Sequence, residues 1–266
     1  MADFHEAVLS QVDAILHSSL PTAEKLNGAL RHLAKYRSVL VQLALIGANG
    51  QQVLSGPFKG MKLANGSVEG CYLPKLLGCY EAELHPYILE ARKRKYTAVI
   101  NVGTAEGYYA IGMARLLPKC MVYTYDINEQ AQLLCRELAQ QNGVSDRMVI
   151  GGEFKGDDFE ALAGRKTLVI CDIEGGEAAL LDPQRFSALR RMDLIVELHD
   201  SSRGKCSEIV PARFAKTHDI TMVNRSARSL ELPQVLDRMA DLDRLLATWE
   251  WRIGPTPWAV MTAKRR

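Results

Sequence analysis

The sequence contains no Cys-x-x-Cys pair, which argues against a zinc site. Its six cysteines (Cys71, Cys79, Cys120, Cys135, Cys171 and Cys206) are scattered, and Cys120, Cys135 and Cys171 fall in or beside apolar runs. They read as reduced, small apolar residues. No uninterrupted apolar run reaches the length of about 18 residues that a membrane span needs, so none is expected. Met1 to Glu6 carries neither a basic stretch nor a long apolar one. No secretory signal is therefore expected, and the expected location is cytoplasmic. Charge of one sign is also scarce. A formal excess of +2 argues against a nucleic-acid partner, and the ending Lys264-Arg265-Arg266 reads as a solvated basic tail. Internal repeats and low-complexity segments are absent as well.

What is present suits a globular core. The chain has 266 residues, 47% of them hydrophobic and 24% charged, enough for one large domain or one domain with a helical extension. Residues 3–18 and 22–46 carry helical apolar spacing, broken by Pro21, with Thr22 placed to cap the second helix. Gln51 to Leu63 reads as a hairpin, with turn signals at Gly56-Pro57 and Lys59-Gly60. Pro74 to Lys95 reads as one helix or two, interrupted near Gly78.

From Thr97 onward, strand and helix alternate. Strand runs end near Val102, Tyr125, Ile150, Asp172 and His199, with helical patterns at roughly 107–117, 129–141, 184–190 and 207–216. A strand at 219–223, a helix at 234–248 and a strand at 258–262 follow. The alternation predicts a doubly wound, mostly parallel α/β sheet with helices on both faces. Two parts emerge: residues 1–95, a helical and hairpin extension, and residues 96–266, the α/β domain. The N-terminal helices would form a lid or the interface of a homodimer.

One unit carries most of the functional information. Val99 to Val102 breaks into Gly103-Thr104-Ala105-Glu106-Gly107, which leads into the helical pattern Tyr108 to Ala114. Asp126 follows nineteen residues after Gly107, at the end of the run Met121 to Tyr125. A strand, a tight glycine turn, a helix, a strand and an acid make the geometry of a nucleoside site. The glycines admit the ligand to the backbone, and the acid accepts both ribose hydroxyls. A dinucleotide is the alternative, but the loop lacks the middle glycine of Gly-x-Gly-x-x-Gly, and Tyr108 and Tyr109 crowd the place of a pyrophosphate.

A second group is acidic. Asp172 is the first polar residue after Thr167 to Cys171, at the carboxyl end of a central strand, where open α/β sheets bind ligands. Glu174 and Glu177 are three apart, spaced to share a helical face. Glu197, His199 and Asp200 end the next strand, where alternation puts Glu197 and His199 on one side.

The order of these elements resembles a class I S-adenosylmethionine (SAM)-dependent methyltransferase. Asn101 to Gly107 is similar to the first motif of that family and Asp126 to its ribose-binding acid. Cys171-Asp172-Ile173-Glu174-Gly175-Gly176-Glu177, with Asp193 to Asp200, is similar to the FkbM-type group. The resemblance implies a seven-stranded Rossmann-like sheet with SAM as cofactor. It implies cofactor contacts at Asn101, Gly103, Thr104, Ala105, Glu106, Gly107, Asp126, Ile127 and Asp172. It adds Asp157 at the adenine amino group, where a helix cap explains the residue equally well. The family usually has an acid where this chain has Asn101, which still bonds a loop amide or reaches the ligand through water.

The activity implied is methyl transfer to a small-molecule acceptor, a hydroxyl of a sugar or secondary metabolite. Two chemistries suit the acidic group. His199 would act as general base, with Asp172 and Glu197 assisting. Alternatively Asp172, Glu197 and Asp200 would hold a divalent cation such as Mg²⁺ that lowers the pKa of the hydroxyl. Tyr80, Glu81 and Glu83 would close over the cofactor. Arg225, Ser226, Arg228 and Ser229 would line the acceptor pocket or lie in a solvated loop. Trp249, Trp251 and Trp258 read as core or rim aromatics. Rival readings are an RNA or protein methyltransferase and a SAM-binding protein that does not methylate. The run Arg92 to Lys95 reads as a charged helix end.

Overall fold

The computed structural model describes residues 2–64, 71–202, 204–225, 232–252, 254 and 256–264. The chain opens with α1 (Ala2–Leu16), α2 (Thr22–Asn49), α3 (Tyr72–Leu77) and α4 (His85–Ala91). The alternating part runs β1 (Ala98–Val102), α5 (Tyr108–Leu116), β2 (Met121–Tyr125), α6 (Glu129–Gln141), β3 (Met148–Gly151), α7 (Asp157–Ala161) and β4 (Thr167–Cys171). It ends with α8 (Glu177–Leu180), β5 (Asp193–Glu197), α9 (Cys206–Phe214), β6 (His218–Val223), α10 (Asp241–Ala247) and β7 (Trp258–Ala263).

The seven strands form one sheet in the order β3-β2-β1-β4-β5-β7-β6. β1 to β5 are parallel, and β7 enters antiparallel between β5 and β6. The expected mostly parallel, seven-stranded sheet is thus present, with a final strand reversed. The central strands β1, β4 and β5 are buried along their whole length, as a sheet covered on both faces requires. Alternate residues feed different cores. Val99, Leu168 and Ile195 join one cluster, while Ile100, Val169 and Leu194 join the other. The first cluster also takes Val41, Leu45, Leu73 and Leu76, so α2 and α3 share a core with the sheet.

Local expectations differ from the structure in a few places. Pro21, not Thr22, is the N-cap of α2, and Thr22 is its first helical residue with no capping side chain. The region 51–63 makes a single antiparallel bridge, Gln52 to Lys62, instead of a full hairpin, because Gly56 and Gly60 both turn the chain with positive φ. The helices expected at 184–190 and 234–248 tighten to 3₁₀ turns at Ser187–Arg191 and Gln234–Arg238, the latter followed by α10. All six cysteines are buried thiols. Among the described residues, no helix is long and apolar enough to cross a membrane.

Candidate active site

The strand order reverses between β1 and β4, so the chains leaving their carboxyl ends diverge and open a crevice. Gly103 turns there with φ 79°, and a Cβ at that position would meet the Asp172 carbonyl oxygen at 1.6 Å. Only glycine fits both the conformation and the contact. Ala105 is also left-handed, with φ 46°. Buried polar groups hold the loop from below. Thr124 donates to Thr104 (2.6 Å), Thr104 to the Asn101 side-chain oxygen (3.2 Å), and the Asn101 amide to the Ile170 carbonyl (3.4 Å). Asp126 grips the loop from above, accepting the amides of Ala105 (2.8 Å) and Asn128 (2.9 Å).

A cavity of about 170 Å³ opens against this loop, lined on its other sides by Tyr80, Tyr109, Asp172, His199 and Arg252. His199 faces four carboxylates. Its Nδ1 lies 3.4 Å from Glu177 Oε1 and 3.7 Å from Asp172 Oδ1. Its Nε2 lies 3.4 Å from Glu174 Oε2 and 3.9 Å from Glu197 Oε1. Burial by itself would lower its pKa, but the bond to Glu177 and the surrounding charges outweigh burial and raise it. Glu177 is fully buried and accepts the amides of Ile173 (3.1 Å) and Gly175 (3.2 Å). Burial works to raise its carboxyl, yet His199 and those amides hold it below the usual range. Glu177 thus fixes the imidazole from behind while Nε2 faces the cavity.

The neighbouring carboxyls are set apart by their partners. Burial first, then the charges of Glu197 and Glu81, push Asp172 well above the usual carboxylate range. Among the described residues, its Oδ1 is buried without a hydrogen-bond partner. Glu197 accepts from Arg252 and from the Thr256 hydroxyl (2.6 Å). Arg252 also donates to Glu81 and to Glu250 (3.2 Å). Burial and the charge of Glu197 raise Glu81 to about 8, against the pull of Arg252 and the Tyr109 hydroxyl.

The expected site residues are only partly brought together. Asn101, Gly103, Thr104, Ala105, Asp172, Glu197 and His199 line the cavity. Asp200 does not join the group proposed to hold a metal. Its carboxylate turns to the amide (2.9 Å) and hydroxyl (2.8 Å) of Ser207 in the first turn of α9. The set that converges is Asp172, Glu174 and His199, with one atom of each within 4.8 Å of the others. Glu106 is buried against Lys75 (2.5 Å). Ile127 is 81% exposed. Asp157 begins α7 as an exposed residue, Gly156 is the cap, and its neighbour Asp158 accepts from Tyr125. Arg225 pairs with Glu250 (3.5 Å), whereas Ser226, Arg228 and Ser229 lie outside the described residues. Trp258 is core, while Trp249 and Trp251 stack beneath Arg31 and Lys35 of α2.

No protein-family model matches the chain, and no curated protein matches it. Solved structures do. An O-methyltransferase of tomaymycin synthesis from Streptomyces achromogenes, crystallised with SAM, is 15% identical over 71% of this chain and 82% of that one, with a TM-score of 0.46. Cofactor-bound Rv0187 from MTB is 16% identical over 96% and 97%, with a TM-score of 0.47. An O-methyltransferase from Bacillus cereus, in complex with S-adenosylhomocysteine, is 12% identical over 86% and 91%, with a TM-score of 0.46. At this distance the chemistry has to come from the residues of the cavity itself.

Proposed function

We propose that the chain is a SAM-dependent methyltransferase that methylates a hydroxyl of a small molecule. One observation carries this reading: a left-handed glycine loop at the β1–β4 switch point, faced by Asp126, opens onto a cavity walled by acids and aromatics. The residues fit the cofactor. Asp126 binds two backbone amides with its two oxygens, a geometry that a ribose diol also satisfies. Asp172, Glu174, Glu197 and Glu250, with the faces of Tyr80 and Tyr109, suit a sulfonium and an ammonium.

When bound, SAM would supply a methyl group already activated by positive sulfur. The protein then has to align the acceptor and remove one proton. His199 Nε2 is the group placed to take it, since Glu177 holds Nδ1. The hydroxyl proton released on methylation would pass to His199 Nε2, leaving the acceptor oxygen methylated and the cofactor as its neutral thioether.

A second reading uses Asp172, Glu174 and His199 as ligands of a divalent cation. Two carboxylates and an imidazole suit Mn²⁺ or Fe²⁺ better than Mg²⁺, whose partners are oxygens. Loss of activity with a chelator and recovery with Mn²⁺ would select it over the free base.

Calorimetric titration with S-adenosylhomocysteine tests the cofactor. Wild type should bind it, and Asp126→Ala should bind about tenfold or more weakly, as charged hydrogen bonds predict. No binding at millimolar ligand would end the reading. Transfer of labelled methyl from SAM to small hydroxyl compounds, but not to RNA or protein, would define the acceptor class.

A further inference from the structure

Lys75 is a cation that the glycine loop does not contain but that lies against it. It comes from α3 in the N-terminal part, is 4% exposed, and its ammonium lies 2.5 Å from Glu106, the loop residue between Ala105 and Gly107. It also sits over the rings of Tyr80 (5.2 Å) and Tyr108 (5.9 Å), and it lines the cavity together with Gly103, Thr104 and Ala105. A buried lysine costs desolvation energy, which the carboxylate and the ring faces offset. The two other basic residues that line the cavity, His199 and Arg252, lie against other carboxylates: His199 against Glu177 and Arg252 against Glu197 and Glu81.

We infer that Lys75 binds the α-carboxylate at the amino-acid end of the cofactor, beside Glu106 in the glycine loop. The inference rests on the cofactor reading above and deepens it. The amino-acid end of SAM is a zwitterion, with an ammonium and a carboxylate on one carbon. A lysine–glutamate pair is its electrostatic complement, so the entering zwitterion would complete a four-charge array without leaving an unpaired ion. Arg252 is already shared among Glu81, Glu197 and Glu250, whereas Lys75 lies against the glycine loop itself, which favours the Lys75 side of the cavity for that group. The site is therefore shared between the N-terminal part and the sheet: α3 reads the carboxylate and β2 the ribose.

Two ligands that differ only by the carboxylate test this: S-adenosylhomocysteine and its decarboxylated analogue, S-adenosyl-3-thiopropylamine, titrated calorimetrically. Wild type should prefer the first by about 10- to 100-fold, as charge-assisted hydrogen bonds predict. Lys75→Met should lose most of that preference while binding the decarboxylated ligand about as well as wild type does. Equal binding of both ligands by wild type overturns the inference without any variant. So does a preference that survives in folded Lys75→Met, or an equal loss of both ligands in that variant, which marks a purely structural role. Failure of wild type to bind either ligand instead overturns the cofactor reading on which the inference stands.

Discussion

Arg252 donates to Glu197 across 55 positions of sequence and to Glu81 across 171, so one guanidinium joins the end of β5 to the turn before α4. It stands among three buried acids, Glu81, Glu197 and Glu250. Arg252→Met should cost about 3–5 kcal/mol, the usual result of stranding buried charges. Urea unfolding at pH 8 would measure it. A loss below about 1 kcal/mol would mean that the acids find water or protons instead.

Gly103 offers a sharper steric test. Alanine there must accept φ 79° and a carbonyl oxygen at 1.6 Å from its Cβ, so β1 and the Asp172 segment have to separate. Gly103→Ala should destabilise by more than the ~1 kcal/mol of left-handed strain alone and should abolish S-adenosylhomocysteine binding. A stable variant that still binds the ligand would show that the loop is not held as described.

The raised carboxyl of Glu81 makes stability depend on pH. Its folded value of about 8 lies above the ordinary 4.5, so the fold favours the neutral acid. That contribution is complete below about pH 4.5 and is lost as pH rises through about 8. The melting temperature should therefore fall between about pH 5 and 8.5, and less steeply in Glu81→Gln. Parallel slopes for the two proteins would remove Glu81 as the cause.

His199 sets the pH dependence of turnover if it is the base. The proton acceptor is neutral imidazole, and the acids around it raise its pKa. The rising limb of the rate profile should lie above the ordinary histidine value of about 6.5. Glu177→Gln removes the leading cause of that rise, so the limb should move to lower pH. A limb that stays in place in the variant would exclude His199 as the titrating group.

Asp200 separates a surface cap from a ligand. It accepts from Ser207 and is not among the converging groups Asp172, Glu174 and His199. Asp200→Ala should leave turnover within about twofold and cost about 0.5–2 kcal/mol of stability, as helix-start contacts do. A large loss of activity at unchanged stability would return Asp200 to the site.

The parts of the site that could be read in sequence are those made of neighbours. The loop from Gly103 to Gly107, Asp126 and the strand ends at Asp172 and Glu197 follow from alternation and turn chemistry within short segments. Alternation likewise put Glu197 and His199 on one side, and both line the cavity. Asp200 failed because the strand had already ended at Glu197, leaving the next residues free to turn toward Ser207. Glu177 was visible as an acid three residues from Glu174, but its burial depends on a tight turn in which Glu174 itself is left-handed.

Sequence alone determined the sheet, its mostly parallel strands and the glycine turn that faces an acid. Those features arise from apolar periodicity and from backbone conformations that few residues adopt, both of them local. Tertiary structure alone decided which charged groups meet. Lys75 meets Glu106, and Arg252 meets Glu81 and Glu197, only because α3 and the strand reversed at β7 fold back onto the same crevice. Which charges share a cavity depends on distances in space that no spacing along the chain records.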